Sequence, residues 1–94
     1  MDIPKVYILL LSNNQYYIGA SSDIEHRFIE HRQGLVKSTR YKKPIKIIFS
    51  QQFSSIKLAK QVEYRLKKLK SRKIVEEIIE DEKIDLEKLG IKSD

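Results

Sequence analysis

At 94 residues the chain is one small domain's worth, and folding at this size hides only about two-thirds of the unfolded surface, so one modest core is the ceiling. Apolar residues at 40% and charged residues at 34% fit a soluble globular domain and not a disordered chain, and the absence of cysteine excludes a disulfide scaffold, a thiolate zinc site and a cysteine nucleophile. The net charge of +6 is unevenly spread: residues 76–94 carry eight acids and three lysines, a net −5, while residues 1–75 carry 16 basic and five acidic residues, a net +11. A basic body with an acidic C-terminal piece is the layout of a polyanion binder, and equally of a lysine-rich solvated surface.

In chain order, Val6 to Leu11 is short, apolar and β-rich, and reads as a buried strand; at six residues it is too short for a secretory or membrane segment. A cytoplasmic protein with no membrane partner is expected. Ser12-Asn13-Asn14 is turn material, since Asn tolerates positive φ, and Gln15 to Ala20 then pairs back as the second arm of a hairpin. Ser21-Ser22-Asp23 supplies an N-cap and an acid for a helix running to about Arg32, with Gly34 ending it. Leu35 to Lys43 has no clear period and reads as a basic loop with a helical turn. Pro44 opens a third strand, Ile45 to Phe53. Ser54-Ser55 caps a second helix whose apolar positions Leu58, Ala59, Val62, Leu66 and Leu69 recur at threes and fours. After Ser71 a third helical pattern runs through Ile74, Val75, Ile78 and Ile79, and a short final piece around Leu86 to Leu89 ends at Gly90. The expected fold is α/β: a small three-stranded sheet in β-β-α-β-α order, flanked by helices, with an additional C-terminal helix.

Four features carry candidate chemistry. Tyr7 and Tyr17 sit on the two arms of the hairpin. Gly19 lies inside a strand, where glycine normally costs stability, so its missing side chain lets another group approach. On the first helix Arg27 and His31 are four apart and stack on one face, beside the stripe of Ile24 and Phe28. On the second helix Glu63 falls about 40° round from Ala59 and about 100° from Val62, a carboxylate on the shoulder of an apolar stripe. Each has a plain structural alternative: a space-filling tyrosine, an Arg27–Asp23 surface pair, a Glu63 paired with Lys60 or Lys67. Two histidines, His26 and His31, are too few for a multi-histidine metal centre. On composition and spacing alone the chain is a basic α/β domain of the nucleic-acid-binding kind.

These residues, in this order, resemble the GIY-YIG endonuclease superfamily, and most closely its stand-alone, single-domain members related to the N-terminal nuclease domain of the DNA-repair excinuclease. Lys5-Val6-Tyr7 matches the first motif, with lysine where that motif has glycine, and Tyr17-Ile18-Gly19 matches the second intact. The stretch Tyr17 to His31 follows the family's strand-to-helix pattern, with its arginine at Arg27 and the subgroup's histidine at His31; the acid of the later helix falls on Glu63. The resemblance covers about residues 4–73. The asparagine many members carry late in the domain has no counterpart, because the only asparagines are Asn13 and Asn14.

The resemblance implies a metal-dependent DNA endonuclease. Glu63 would be the sole protein carboxylate on one Mg²⁺ or Mn²⁺, which such hard ions accept alongside waters and a phosphate oxygen. Arg27 would hold a phosphate oxygen and stabilise the transition state. Tyr17 would be the general base, with Tyr7 hydrogen-bonded nearby and His31 supporting. A tyrosine ionises near pH 10, so that role needs a metal and a positive field to favour a phenolate. The two phenols share a sheet face only if the hairpin has an odd-numbered loop or a bulge, for instance Ser12 facing Tyr16, and that odd register is predicted. Lys37, Arg40, Lys42 and Lys43 in the loop, and Lys60, Lys67, Lys68, Lys70, Arg72 and Lys73 on the later helices, would grip phosphates. With about six such contacts the salt dependence of duplex binding would have a log–log slope around −5. With no base-reading module, structure-related cleavage in repair or recombination is expected, of DNA with RNA a further candidate. Residues 1–75 would form the nuclease domain, and 76–94 an acidic helical extension packed on or trailing it. The alternatives are a non-catalytic nucleic-acid-binding module of the same fold, and a protein partner engaged through the acidic tail.

Overall fold

The computed structural model describes residues 3–92. It contains β1 (Lys5–Leu11), β2 (Tyr16–Ser21), α1 (Ile24–Arg32), β3 (Pro44–Gln52), α2 (Ile56–Leu69) and α3 (Arg72–Asp81), with single 3-10 turns at Lys37–Thr39 and Glu87–Leu89. The helices begin where local chemistry says they should. Side chains of Asp23, Ser55 and Ser71 accept hydrogen bonds from the backbone N–H of His26, Leu58 and Ile74, three residues on in each case, satisfying donors that a helix start leaves unpaired. Gly34 follows α1 at φ 76°, a left-handed conformation that ends the helix without a Cβ penalty.

The sheet has the order β2-β1-β3, and both pairings are antiparallel. This is the expected α/β architecture, three strands flanked by helices. Period-two alternation along β1 splits its side chains between two cores. Val6 and Ile8 join Phe49, Phe53, Ala59, Val62, Leu66, Val75 and Ile78 on the side of α2 and α3. Tyr7, Leu9 and Leu11 pack with Tyr17, Ile24 and Phe28 on the side of α1. The tyrosine-bearing face is thus the α1 face. The acidic C-terminal stretch contributes apolar residues to the first core: Ile84, Leu89 and Ile91 are buried there. The Ile84 N–H also donates to Gln51 Oε1 on β3 at 2.8 Å, and the 75/76 boundary lies within α3.

The hairpin register decides where the phenols point. Leu11 N–H donates to the Gln15 carbonyl at 2.9 Å and Asn14 N–H to the Leu11 carbonyl at 3.0 Å, enclosing a three-residue loop, Ser12-Asn13-Asn14. Asn14 takes φ 67°, which asparagine tolerates better than most residues. The register is odd, as expected. The pairing itself is Leu11 with Gln15, not Ser12 with Tyr16, a shift that preserves parity. Tyr7 therefore lies opposite Gly19 and Leu9 opposite Tyr17, and both phenols share one face.

Candidate active site

Tyr7, Tyr17 and His31 form a ring cluster on the α1 face. Ring centroids are 6.4 Å apart for Tyr7–Tyr17, 5.9 Å for Tyr7–His31 and 4.9 Å for Tyr17–His31, the last two edge-on. Gly19 makes this possible. A Cβ built there would overlap the Cζ, Oη and Cε2 atoms of Tyr7, so the Tyr7 ring lies across the glycine backbone. The group that the missing side chain admits is the first tyrosine itself.

His31 is completely buried and uses both ring nitrogens. Nε2 is 2.9 Å from the Tyr7 hydroxyl, and Nδ1 is 2.8 Å from Oγ1 of Thr39, which is also completely buried. Burial, followed by the nearby Arg27 guanidinium and, more weakly, Lys67, holds the imidazole down at about 4, although Glu30 acts in the opposite direction. His31 is thus a neutral ring at physiological pH, one end on Tyr7 and the other on the basic loop.

Tyr7 is pushed up to about 12, by burial first and then by the Tyr17 phenol; Arg27 opposes this by hydrogen bonding and by charge, while Glu63 adds to it. The first tyrosine is therefore a neutral hydroxyl in the resting protein. Tyr17 is less enclosed and, with Arg27, Leu35, Val36, Lys37 and Ser38, lines an open depression on the surface. Arg27 pairs with Glu30 at 3.2 Å. Burial alone would lower its pKa, but Glu30 and Tyr7 outweigh that and raise it, so its charge is permanent.

Glu63 arrives from α2, the helix on the opposite face. Because β2 is an edge strand and α2 packs chiefly against it, side chains of α2 can reach past that edge. Lys67 is 3.1 Å from Glu63 and 5.1 Å from the Tyr17 ring centroid, linking the carboxylate to the second tyrosine. The intrahelical Lys67–Glu63 pair anticipated from spacing is present. At nearly half exposure for the lysine such a pair contributes only about 0.3–0.5 kcal/mol, so an incoming cation displaces it at little cost. Among the described residues no group of three or more His, Cys, Asp or Glu could hold a metal. A lone half-buried carboxylate neutralised by an ammonium suits a hard ion that keeps most of its waters, Mg²⁺ or Mn²⁺, and not zinc.

The basic residues divide. Lys37 lines the depression with Tyr17 and Arg27, and Arg40, Lys42 and Lys43 are exposed on the same loop. Arg40 stacks on Tyr41 and Lys42 reaches Gln15 at 3.4 Å. Lys67, Lys70 and Arg72 border a cleft beside Tyr16 and the hairpin tip, where Arg72 lies 4.3 Å from the Tyr16 ring centroid and donates to the Asn14 carbonyl. Lys68 faces elsewhere, in a recess with Arg65, Leu69 and Lys88; Lys60 and Lys73 are exposed. Sequence reasoning did not single out Thr39. A threonine in an aperiodic basic loop carries no burial signal, and its partner lies eight residues back on a helix.

The neutral buried histidine has a measurable cost in acid. An unfolded chain protonates His31 near pH 6.5 and the folded one near 4, so its contribution is complete above 6.5 and is lost as pH falls towards 4, amounting to about 3 kcal/mol. Urea unfolding from pH 7 to 4 is expected to show this loss, with a shallower acid slope in His31→Phe; equal slopes would refute it.

An edge-strand tyrosine, a buried tyrosine lying over a strand glycine, and a histidine on the following helix are thus grouped on one face of the sheet, with Arg27 of that helix at the open depression beside Tyr17. Residues 4–76 match the family model described as the GIY-YIG catalytic domain, and the chain belongs to that family, part of a nuclease superfamily. Its similar relatives are UPF0213 proteins. One from Bacillus velezensis is 33% identical over 88 residues, covering 93% of this chain and 88% of the relative. One from Limosilactobacillus reuteri is 36% identical over 88 residues, covering 89% and 90%, and YhbQ of Escherichia coli K12 is 32% identical over 68 residues, covering 71% and 68%. The solution NMR structure of a UPF0213 protein from Bacillus halodurans is similar at a TM-score of 0.53, with 31% identity and 82% of each chain covered.

Proposed function

We propose that this chain is a metal-dependent endonuclease hydrolysing phosphodiester bonds in DNA, selecting structure over sequence, in repair or recombination. The observation that supports the reading is the grouping of side chains from four elements: Tyr7, Tyr17 and His31 in one cluster, Arg27 lining the depression with Tyr17, and Glu63 linked to the Tyr17 ring through Lys67. Glu63 would hold one Mg²⁺ or Mn²⁺, and the ion when bound supplies charge neutralisation at the scissile phosphate and leaving oxygen. Arg27, permanently charged beside the open depression, binds a phosphate oxygen and stabilises charge developing on it. Tyr17, facing the depression, is the residue that takes a proton from the attacking water. Tyr7, neutral and locked to His31, positions rather than ionises. Lys37, Arg40, Lys42 and Lys43 hold the backbone on one side of the site, and Lys67 and Lys70 on the other.

The test is incubation of the purified chain with plasmid, branched and single-stranded DNA in Mg²⁺ or Mn²⁺. Cleavage that disappears with chelator and in Tyr17→Phe supports the reading. Binding to all three without cleavage makes the chain a nucleic-acid-binding module on a nuclease fold.

A further inference from the structure

We infer that Thr39 is a positioning residue of this site: its Oγ1 accepts the Nδ1 proton of His31, leaving Nε2 to accept the hydroxyl proton of Tyr7. The inference follows from counting donors and acceptors. Tyr7 is buried, and among the described residues the hydrogen-bond partner of its hydroxyl is His31 Nε2 at 2.9 Å. Of its other polar neighbours Arg27 offers only donors, and Tyr17 and Glu63, which could accept, make no hydrogen bond to this hydroxyl among the described residues. Were the proton on Nε2, that N–H would donate to the Tyr7 oxygen and the Tyr7 O–H would be left to find another acceptor; a buried hydroxyl proton without one is costly. With the proton on Nδ1 every group is matched. Tyr7 O–H donates to Nε2, Nδ1–H donates to Thr39 Oγ1 at 2.8 Å, and the Thr39 hydroxyl turns to the Val36 carbonyl at 3.5 Å. No buried side-chain polar atom among the described residues is left without a partner.

The consequence for chemistry rests on the nuclease reading. A Tyr7 hydroxyl whose proton is committed to His31 presents only lone pairs to the site, where it can orient the Arg27 guanidinium and accept from a water. Thr39 also ties this arrangement to the substrate-gripping loop. It closes the 3-10 turn Lys37–Thr39, so the turn that exposes Lys37 and precedes exposed Arg40 holds His31 from inside. Tyr17, Glu30 and Lys67 complete the titratable surroundings of the ring, and none is in hydrogen-bond contact with Nδ1.

The experiment is ¹⁵N-histidine NMR at pH 7, which distinguishes the protonated from the bare ring nitrogen without any need for activity. The expected result is His31 protonated on Nδ1 in the wild type and in Thr39→Ser, and a tautomer ratio shifted at least tenfold towards Nε2–H in Thr39→Val. A wild-type His31 carrying its proton on Nε2 overturns the inference even if the valine variant does not fold, and so does an unchanged ratio in a folded valine variant. Where cleavage is measured, Thr39→Val should lower kcat about tenfold with KM unchanged and serine should restore it. Absence of cleavage in the wild type would overturn the nuclease reading and leave the tautomer result standing.

Discussion

Replacing Glu63 with glutamine is expected to lower Mg²⁺-dependent cleavage at least about a thousandfold while leaving the fold intact. The substitution keeps size and shape, and the one charged partner it loses is Lys67, whose exposed ammonium makes the pair worth only about 0.5 kcal/mol. What it removes is the carboxylate proposed above to hold the ion, and charge stabilisation by such an ion amounts to several kcal/mol of barrier, or about three orders of magnitude in rate. Cleavage rate and Mn²⁺ binding by calorimetry should fall together, with an unchanged urea midpoint. Cleavage at wild-type rate in Glu63→Gln would move the metal to other ligands or remove it from the reaction.

The second large effect is expected at Gly19. Alanine there puts a methyl group inside the Tyr7 ring, and the ring has nowhere to go: it is buried, bonded to His31 and packed beside Tyr17. Overpacking of this kind costs about 1–3 kcal/mol and at times more, and displacement of Tyr7 adds the loss of its hydrogen bond, about 1 kcal/mol. Gly19→Ala should therefore destabilise by about 3 kcal/mol, a large share of the roughly 5–15 kcal/mol available to a small domain. Leucine at position 7 lacks the clashing atoms, so in a Tyr7→Leu background the same alanine should cost less than about 1 kcal/mol. Urea unfolding of the four proteins measures the coupling; additive costs would show that the glycine serves something other than the tyrosine.

The acidic C-terminal stretch is set apart by charge and joined by packing. Its net −5 marks it off from the basic body, yet Ile84, Leu89 and Ile91 are buried in the same core as Val6 and Ile8. Charge is a property of the solvated face of a segment, and burial is decided by the few apolar residues on the other. Lys67 is a related case: spacing along α2 exposes its pairing with Glu63, but not its position over Tyr17, which depends on how the helix crosses the β2 edge.

What this sequence determines unaided is whatever is settled within about one helical turn or one hairpin. The caps at Asp23, Ser55 and Ser71, the stripe of α2 and the stop at Gly34 all follow from groups that interact with near neighbours in the chain. The tyrosines, glycine, arginine, histidine and glutamate of the candidate site are singled out in the sequence by the order and spacing that carry the family resemblance. The tertiary structure alone decides that Tyr7 lies over Gly19, that His31 is shared between Tyr7 and a threonine in the basic loop, and that α2 brings Lys67, paired with Glu63, over the Tyr17 ring. Those contacts join residues 8 to 50 positions apart, and no local preference encodes them; they exist because the sheet, once formed, brings these groups together.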